Sequence, residues 1–223
     1  MRILHCTDFH ANPEWFGWLA NSAGKYEVVC LTGDHLDLLN LQQIDSQLSM
    51  IQGALRRVAV PVMLCSGNND AYSGPPAPPE LQHAAWLADL RRPGIWVDGD
   101  VFEVGGARFR CVGWNAPLPS PNEDEIWLYH APPARSPTAA DQFGGDVGDE
   151  ILGEVCRAGA GPGLLLSGHQ HHPQRPVCLE GRTWCLNPGR GSHPSVPNHF
   201  VIDTQLRTTV LRILGRDDSV TLI

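Results

Sequence analysis

Two kinds of apolar pattern alternate along the chain. Short, nearly continuous apolar runs fall at Arg2–Cys6, Tyr26–Leu31 and Val60–Cys65, with stretches of helical periodicity between them. Asn12 and Pro13 predict the start of a helix to about Ala23: the Asn side chain accepts from free first-turn amides, and proline brings no amide that would go unpaired. A second helix is expected from about Gln42 to Val58. Strands without polar alternation need cover on both faces. This β-α-β-α-β order therefore predicts a parallel sheet under helices.

The pattern then changes. A proline-rich loop, Tyr72–Pro79, leads into a predicted helix ending near Leu90. Val101–Val104 and Arg108–Val112 read as a hairpin around Gly105-Gly106, Ile126–Tyr129 as a strand, and Leu164–Leu166 as a strand behind a helix from about Asp149 to Arg157. Val177–Leu179 and Thr183–Leu186 form a second hairpin, followed by strands near Phe200–Ile202 and Thr208–Leu214. Ala131–Gly148, with three prolines and three glycines, is expected to be a long functional loop. The sum is a single α/β domain over residues 1–223: a four-layer α-β-β-α sandwich of two mixed sheets flanked by helices.

Composition narrows the function. The hydrophobic content of 42% and charged content of 18% suit a soluble enzyme. No apolar run approaches the ~20 residues of a membrane span. The N-terminus is polar again by Thr7, too early for a secretory signal, and a cytoplasmic location is expected. A net charge of -8 argues against nucleic acid as partner, and the arginine pairs Arg56-Arg57 and Arg91-Arg92 lie in or near helices. It is compatible with a small anionic substrate, because bound cations reverse the sign locally. Seven cysteines without CxxC spacing read as reduced, mostly buried thiols.

The chemistry sits at the strand ends. Successive strands finish at Asp8-Phe9-His10, Gly33-Asp34, Gly67-Asn68, His130 and Gly168-His169-Gln170-His171. Ligands of open α/β sheets bind at that edge, so these clusters are expected to converge. A glycine before Asp34, Asn68 and His169 lets the backbone approach without a Cβ clash. Asp34 offers two oxygens, Asn68 a neutral carbonyl, and the histidines imidazole nitrogens. Such donors suit Mn, Fe, Zn or Ni.

The order DxH, GD, GNx[DE], H, GHxH, with His130-Ala131-Pro132-Pro133 and Asn187-Pro188-Gly189, resembles the calcineurin-like metallophosphoesterases. The resemblance implies a dinuclear centre of two divalent transition-metal ions. One would be held by Asp8, His10, Asp34 and His171, the other by Asp34, Asn68, His130 and His169. It further implies attack on phosphorus by a metal-bridging hydroxide, and hydrolysis of a small phosphodiester or a monoester with a good leaving group. The alternative is a non-catalytic scaffold of the same fold, although scaffolds of that kind have typically lost histidines that this chain keeps.

Two departures stand out. Many relatives carry a histidine where this chain has Asn69, in Gly67-Asn68-Asn69-Asp70. An Asn amide can bond a phosphoryl oxygen but cannot give a proton to the leaving group. His35, directly after Asp34, reads as an exposed loop residue, and the proton-donor role is its sharper alternative. Asp37 reads as a supporting or helix-capping residue. His172, His193 and Arg190 read as solvated loop residues, with the last two candidates to approach the cleft. Trp15, Trp18, Trp86, Trp96 and Trp127 read as packing residues, and His5, His83 and His199 as structural.

Overall fold

The computed structural model describes the backbone of residues 1–71, 79–120, 122–206, 208–213 and 216–221, and the side chains of all of these but 79, 80 and 216–221. The proline-rich stretch 72–78 thus lies outside the described residues.

The first half contains β1 (Arg2–Cys6), α1 (Pro13–Ser22), β2 (Val28–Thr32), α2 (Ile44–Leu55), β3 (Val62–Cys65), α3 (Ala85–Ala88), β4 (Ile95–Trp96), β5 (Val101–Val104) and β6 (Ala107–Val112). The second contains β7 (Glu125–Tyr129), α4 (Glu150–Arg157), β8 (Leu164–Leu166), β9 (Val177–Glu180), β10 (Thr183–Leu186), β11 (His199–Asp203), β12 (Thr208–Ile213) and β13 (Arg216–Thr221). One sheet runs β13-β12-β11-β1-β2-β3-β4 and the other β5-β6-β7-β8-β10-β9. β1 to β4 are parallel, as are β6, β7, β8 and β10, and antiparallel strands complete each sheet.

The expected four layers are present, and the pleat explains them. Leu4, Val29 and Leu31 point outward beneath α1 and α2, where they pack with Trp15, Phe16, Leu19, Ile51 and Leu55. Their neighbours Ile3, Val28 and Cys30 point inward and meet Phe109, Leu128, Leu166 and Phe200 between the sheets. On the far side Trp127, Leu165 and Cys185 pack beneath Leu152 and Cys156 of α4. Alternate side chains of one strand thus serve two cores, which is why the runs read as continuously apolar. Asn12 caps α1 as its type requires, accepting from the amides of Glu14 and Trp15.

Some elements depart from expectation. The helix predicted to Leu90 is broken: a 3-10 segment, Pro79–Ala84, has His83 and Ala84 at φ 53, and only Ala85–Ala88 is α-helical. This kink drops Leu81, Trp86 and Leu87 into the outer core. A 3-10 segment over Leu38–Gln43, capped by Asp37, precedes α2 and takes up the start of the predicted second helix. The short strands β4 and β13 were not legible in the pattern. All seven cysteines are free, and only Cys178 is not fully buried. Among the described residues no helix is long and apolar enough to cross a membrane.

Candidate metal centre

The strand ends do converge. Past β1 the chain pairs with the segment after β2, His10 N–H donating to the Asp34 carbonyl and Ala11 N–H to that of His35. Three glycines make the approach possible. A Cβ on Gly33 would collide with the His130 ring, one on Gly67 with the Asp34 carboxylate, and one on Gly168 with Thr7.

Asp8 and His130 show how each side chain is aimed. The Thr7 hydroxyl lies 2.8 Å from Asp8 Oδ2, and the His169 backbone N–H donates to the same oxygen at 3.2 Å. That leaves Oδ1 buried with no hydrogen-bond partner. Nδ1 of His130 sits 2.6 Å from the Thr32 carbonyl oxygen, which requires a proton on Nδ1 and turns Nε2 toward Asp8 and Asp34. Nε2 is also buried without a hydrogen-bond partner, as is Oδ1 of Asn68. Buried polar atoms are almost always satisfied, so unpartnered Asp8 Oδ1 and His130 Nε2, 3.9 Å apart, with Asn68 Oδ1 unpartnered after the next strand, mark a missing partner.

Around that place, His10 Nε2 and His171 Nε2 are 3.1 Å apart, and His171 Nε2 is 3.3 Å from Asp8 Oδ1. His10 Nε2 is 3.8 Å from Asp34 Oδ2, and the donor atoms of Asp8, His10, Asp34 and His171 all lie within 4.8 Å of one another. Donors ~2.0–2.2 Å from a common ion stand about 3–4 Å apart, so the group fits a transition-metal ion. The other Asp34 oxygen faces the other way, with Oδ1 3.3 Å from His130 Nε2. The rings of His130 and His169 are 5.1 Å apart. Asp8, His10, Asp34, His130, His169 and His171 thus lie near one another, with Asp34 between His10 and His130, and Asn68 follows β3 beside them in the chain.

Electrostatics point to the same need. Asp8 and Asp34 are buried without Lys or Arg partners among the described residues. Burial favours their neutral forms, but neighbouring imidazoles outweigh it and hold both pKa values down. Burial disfavours the charged form of His130 too, yet Asp34 and Asp8 raise its pKa to about 9. His169 moves down to about 4, through burial and then the charge of His130. The pocket thus presents a negative field seeking positive charge.

A family model described as calcineurin-like phosphoesterase matches residues 1–173, well over half of the chain. The chain belongs to that family. No curated protein matches it. Similar solved structures include an archaeal phosphodiesterase, 16% identical, with 100% of both chains covered and a TM-score of 0.53. A dimetal phosphatase from Danio rerio is 12% identical over 100% of this chain and 99% of that one, with a TM-score of 0.58. Purple acid phosphatase PPD1 from yellow lupin (Lupinus luteus) seeds is 11% identical, with a TM-score of 0.61, and this chain spans 54% of its length. At these identities the likeness is one of fold.

Four residues of this calcineurin-like phosphoesterase differ from, or add to, the reading of its sequence. His35 is buried, not exposed: its Nε2 lies 3.1 Å from the Cys65 carbonyl oxygen, and burial lowers its pKa to about 4. Neutral and turned inward, it is no donor to the cleft. Asp70 is the hub behind it, accepting from the backbone amides of His35, Leu36 and Gly67 and so tying the Asp34 and Asn68 loops together. Trp114 went unnoticed in the sequence, yet its ring lies 5.6 Å from that of His130 and 5.1 Å from that of His169. Asn69 is half-buried and engaged with Asp34; its amide nitrogen donates to Asp34 Oδ2 at 2.5 Å and its backbone N–H to Oδ1 at 2.8 Å.

The long loop predicted at Ala131–Gly148 has a bracing role. The buried amide nitrogen of Asn187 lies 2.8–3.1 Å from the carbonyl oxygens of Thr138, Gly168 and Gln170, and Gln170 Nε2 donates to Ala139. The loop thereby holds the His169–His171 turn in place. Asp37 caps the turn after Asp34, accepting from Leu39 N–H. His193 and Arg190 line a cavity beside His171.

Proposed function

We propose that Asp8, His10, Asp34, Asn68, His130, His169 and His171 hold two divalent transition-metal ions, and that the chain, a single domain over 1–223, hydrolyses a phosphodiester. A monoester with a good leaving group is the next substrate in order. The observation that carries this reading is that the buried atoms Asp8 Oδ1 and His130 Nε2, unpartnered by any hydrogen bond, stand against the His10–Asp34–His171 cluster, with Asn68 Oδ1 likewise buried and unpartnered on the next strand end.

When bound, such ions supply Lewis acidity, charge neutralisation at the phosphoryl oxygens, and a water whose pKa falls from ~15.7 toward ~7. The protein's part is to fix the donors beforehand. Thr7 and the His169 amide hold Asp8 so that one oxygen is free. The Thr32 carbonyl sets the tautomer of His130, and Asn69 orients the Asp34 carboxylate from two directions. With Asn69 engaged there and His35 buried, neither offers the leaving group a proton, which favours substrates whose leaving group departs as a stable anion.

Metal content and turnover of bis(p-nitrophenyl) phosphate test the reading in wild type, Asp34→Ala and Asp8→Ala. Wild type should carry two ions per chain. Asp34→Ala should lose both ions and more activity than Asp8→Ala, since only Asp34 faces both halves of the site. Two ions and near-native rates in the Asp34 variant would show that it does not bridge.

A further inference from the structure

Two cavities lie beside the candidate centre, one lined by Trp114 and the other by His171, and their charge differs. On the His130–His169 side, about 510 Å³ is lined by Ser66, His83, Asp98, Trp114 and Asn115, among others. On the His171 side, about 370 Å³ is lined by Asn12, Trp15, His171, His172, Arg190 and His193, among others. Both fall within the ~300–1,000 Å³ typical of small-molecule sites.

The first cavity holds a carboxylate, Asp98, which among the described residues accepts from the backbone N–H and hydroxyl of Ser66, at 2.9 and 2.6 Å. It is unfavourable to an anion. The second contains no carboxylate among its lining residues and does contain a guanidinium. Arg91, Arg108, Arg110, Arg135 and Arg182 each face an acidic side chain, whereas no described residue pairs with the side chain of Arg190. Its backbone is nevertheless fixed. Arg190 N–H donates to the His171 carbonyl at 2.9 Å, and Gly189 N–H donates to Asn187 Oδ1 at 2.8 Å. The loop thus holds an unpaired, permanently charged fork beside the reacting centre, where it can grip two oxygens of one phosphate.

Resting on the phosphodiesterase reading above, we propose that the substrate is a diester with unequal arms. One arm carries a second, terminal phosphate, bound by Arg190 in the cavity beside His171. The other arm is uncharged and lies toward Trp114, on the side where Asp98 repels anions. Charge, more than shape, then decides which way round the diester binds.

The test compares two chromogenic diesters: the 5′-(p-nitrophenyl) ester of thymidine 5′-phosphate, and the same compound with a 3′-phosphate added. In the metal-loaded wild type the added phosphate should lower KM about tenfold, the scale of one charge-assisted contact, with little change in kcat. Arg190→Gln should bring the ratio of the two KM values close to one, and Arg190→Lys should keep part of it. No preference in wild type, or a preference that survives in Arg190→Gln, would overturn the proposal. An equal loss on both diesters would place Arg190 on the reacting phosphoryl group, which also overturns it. Absence of turnover with both would count against the phosphodiesterase reading instead. Calorimetric binding of thymidine 3′,5′-bisphosphate against thymidine 5′-phosphate then decides the Arg190 site without turnover: an Arg190-dependent preference for the bisphosphate upholds it, and equal affinity rejects it.

Discussion

Asn69 stands where many relatives have a proton-donating histidine, and in this structure it serves Asp34 through both its amide groups. Replacing it with histidine trades one contact for another: the side-chain hold on Asp34 is lost and an acid is gained. In the wild type, rates should fall steeply as leaving-group pKa rises, and Asn69→His should flatten that slope. Its gain should favour alkoxide over nitrophenolate leaving groups, by up to the ~10²-fold lower range of general acid catalysis. A graded series of phosphodiesters measures both slopes, and a flat wild-type slope would show that another group already donates. The seven candidate donors stand out in the sequence because each lies just past the end of an apolar strand, and Asp8/His10 and His169/His171 are spaced two apart. His35 was misread because strand alternation stops at Asp34, whose left-handed φ of 51 carries the next residue beneath the sheet end. Trp114 and Asp70 owe their positions to contacts between distant segments, and local spacing does not encode those.

At the scale of elements, β6 and β7 are joined by more than their ladder. Glu125, 1% exposed, accepts from Arg108, Arg110 and the Trp127 indole. The Arg110 guanidinium above all, with Trp127 and Arg108, holds its carboxyl down to about 2, against an ordinary 4.5. A group whose pKa is depressed by folding adds stability above its unfolded value and loses it as pH falls through the folded one. Glu125→Gln should therefore cost about 1–2 kcal/mol near pH 7, allowing for the partly exposed arginines. The gap from wild type should close as pH falls from about 4.5 to about 2, read by urea unfolding at stepped pH. A gap independent of pH would mean that packing, not charge, accounts for the loss. Strands buried on both faces announced themselves in the sequence. β13, which pairs along β12 through a polar Arg216-Asp217-Asp218 start, gave no apolar signal.

For the whole molecule, the decisive arrangement is that the site draws on both sheets. Asp8, His10, Asp34 and Asn68 follow β1, β2 and β3, while His130, His169 and His171 follow β7 and β8. Ions held there would bind the folded chain and stabilise it by mass action, about 2.7 kcal/mol at a free concentration one hundred times Kd. For a chain of this size that corresponds to a rise in Tm of about 5–10 °C. Thermal scans with Mn2+ and with chelator should show the shift, and Asp34→Ala should lose most of it. The layered architecture was readable because strand and helix runs succeed one another in order. How the two edges face each other was not, since that depends on the inter-sheet packing of residues such as Phe109, Leu128 and Phe200.

Asp8, His10, Asp34 and His169 all have left-handed backbones, with φ between 44 and 65. In non-glycine residues this conformation costs about 1–2 kcal/mol each, somewhat less for Asp. These positions also bury charge and lone pairs that the fold itself does not use. A lineage released from the need for this site would thus find many single changes, glycine at those turns among them, that make an idle protein sturdier. Drift would erase the site before it eroded the sheets. If these residues are the donors proposed above, four of the seven stand in that ill-favoured backbone, and their persistence is what a site in present use would leave in the backbone.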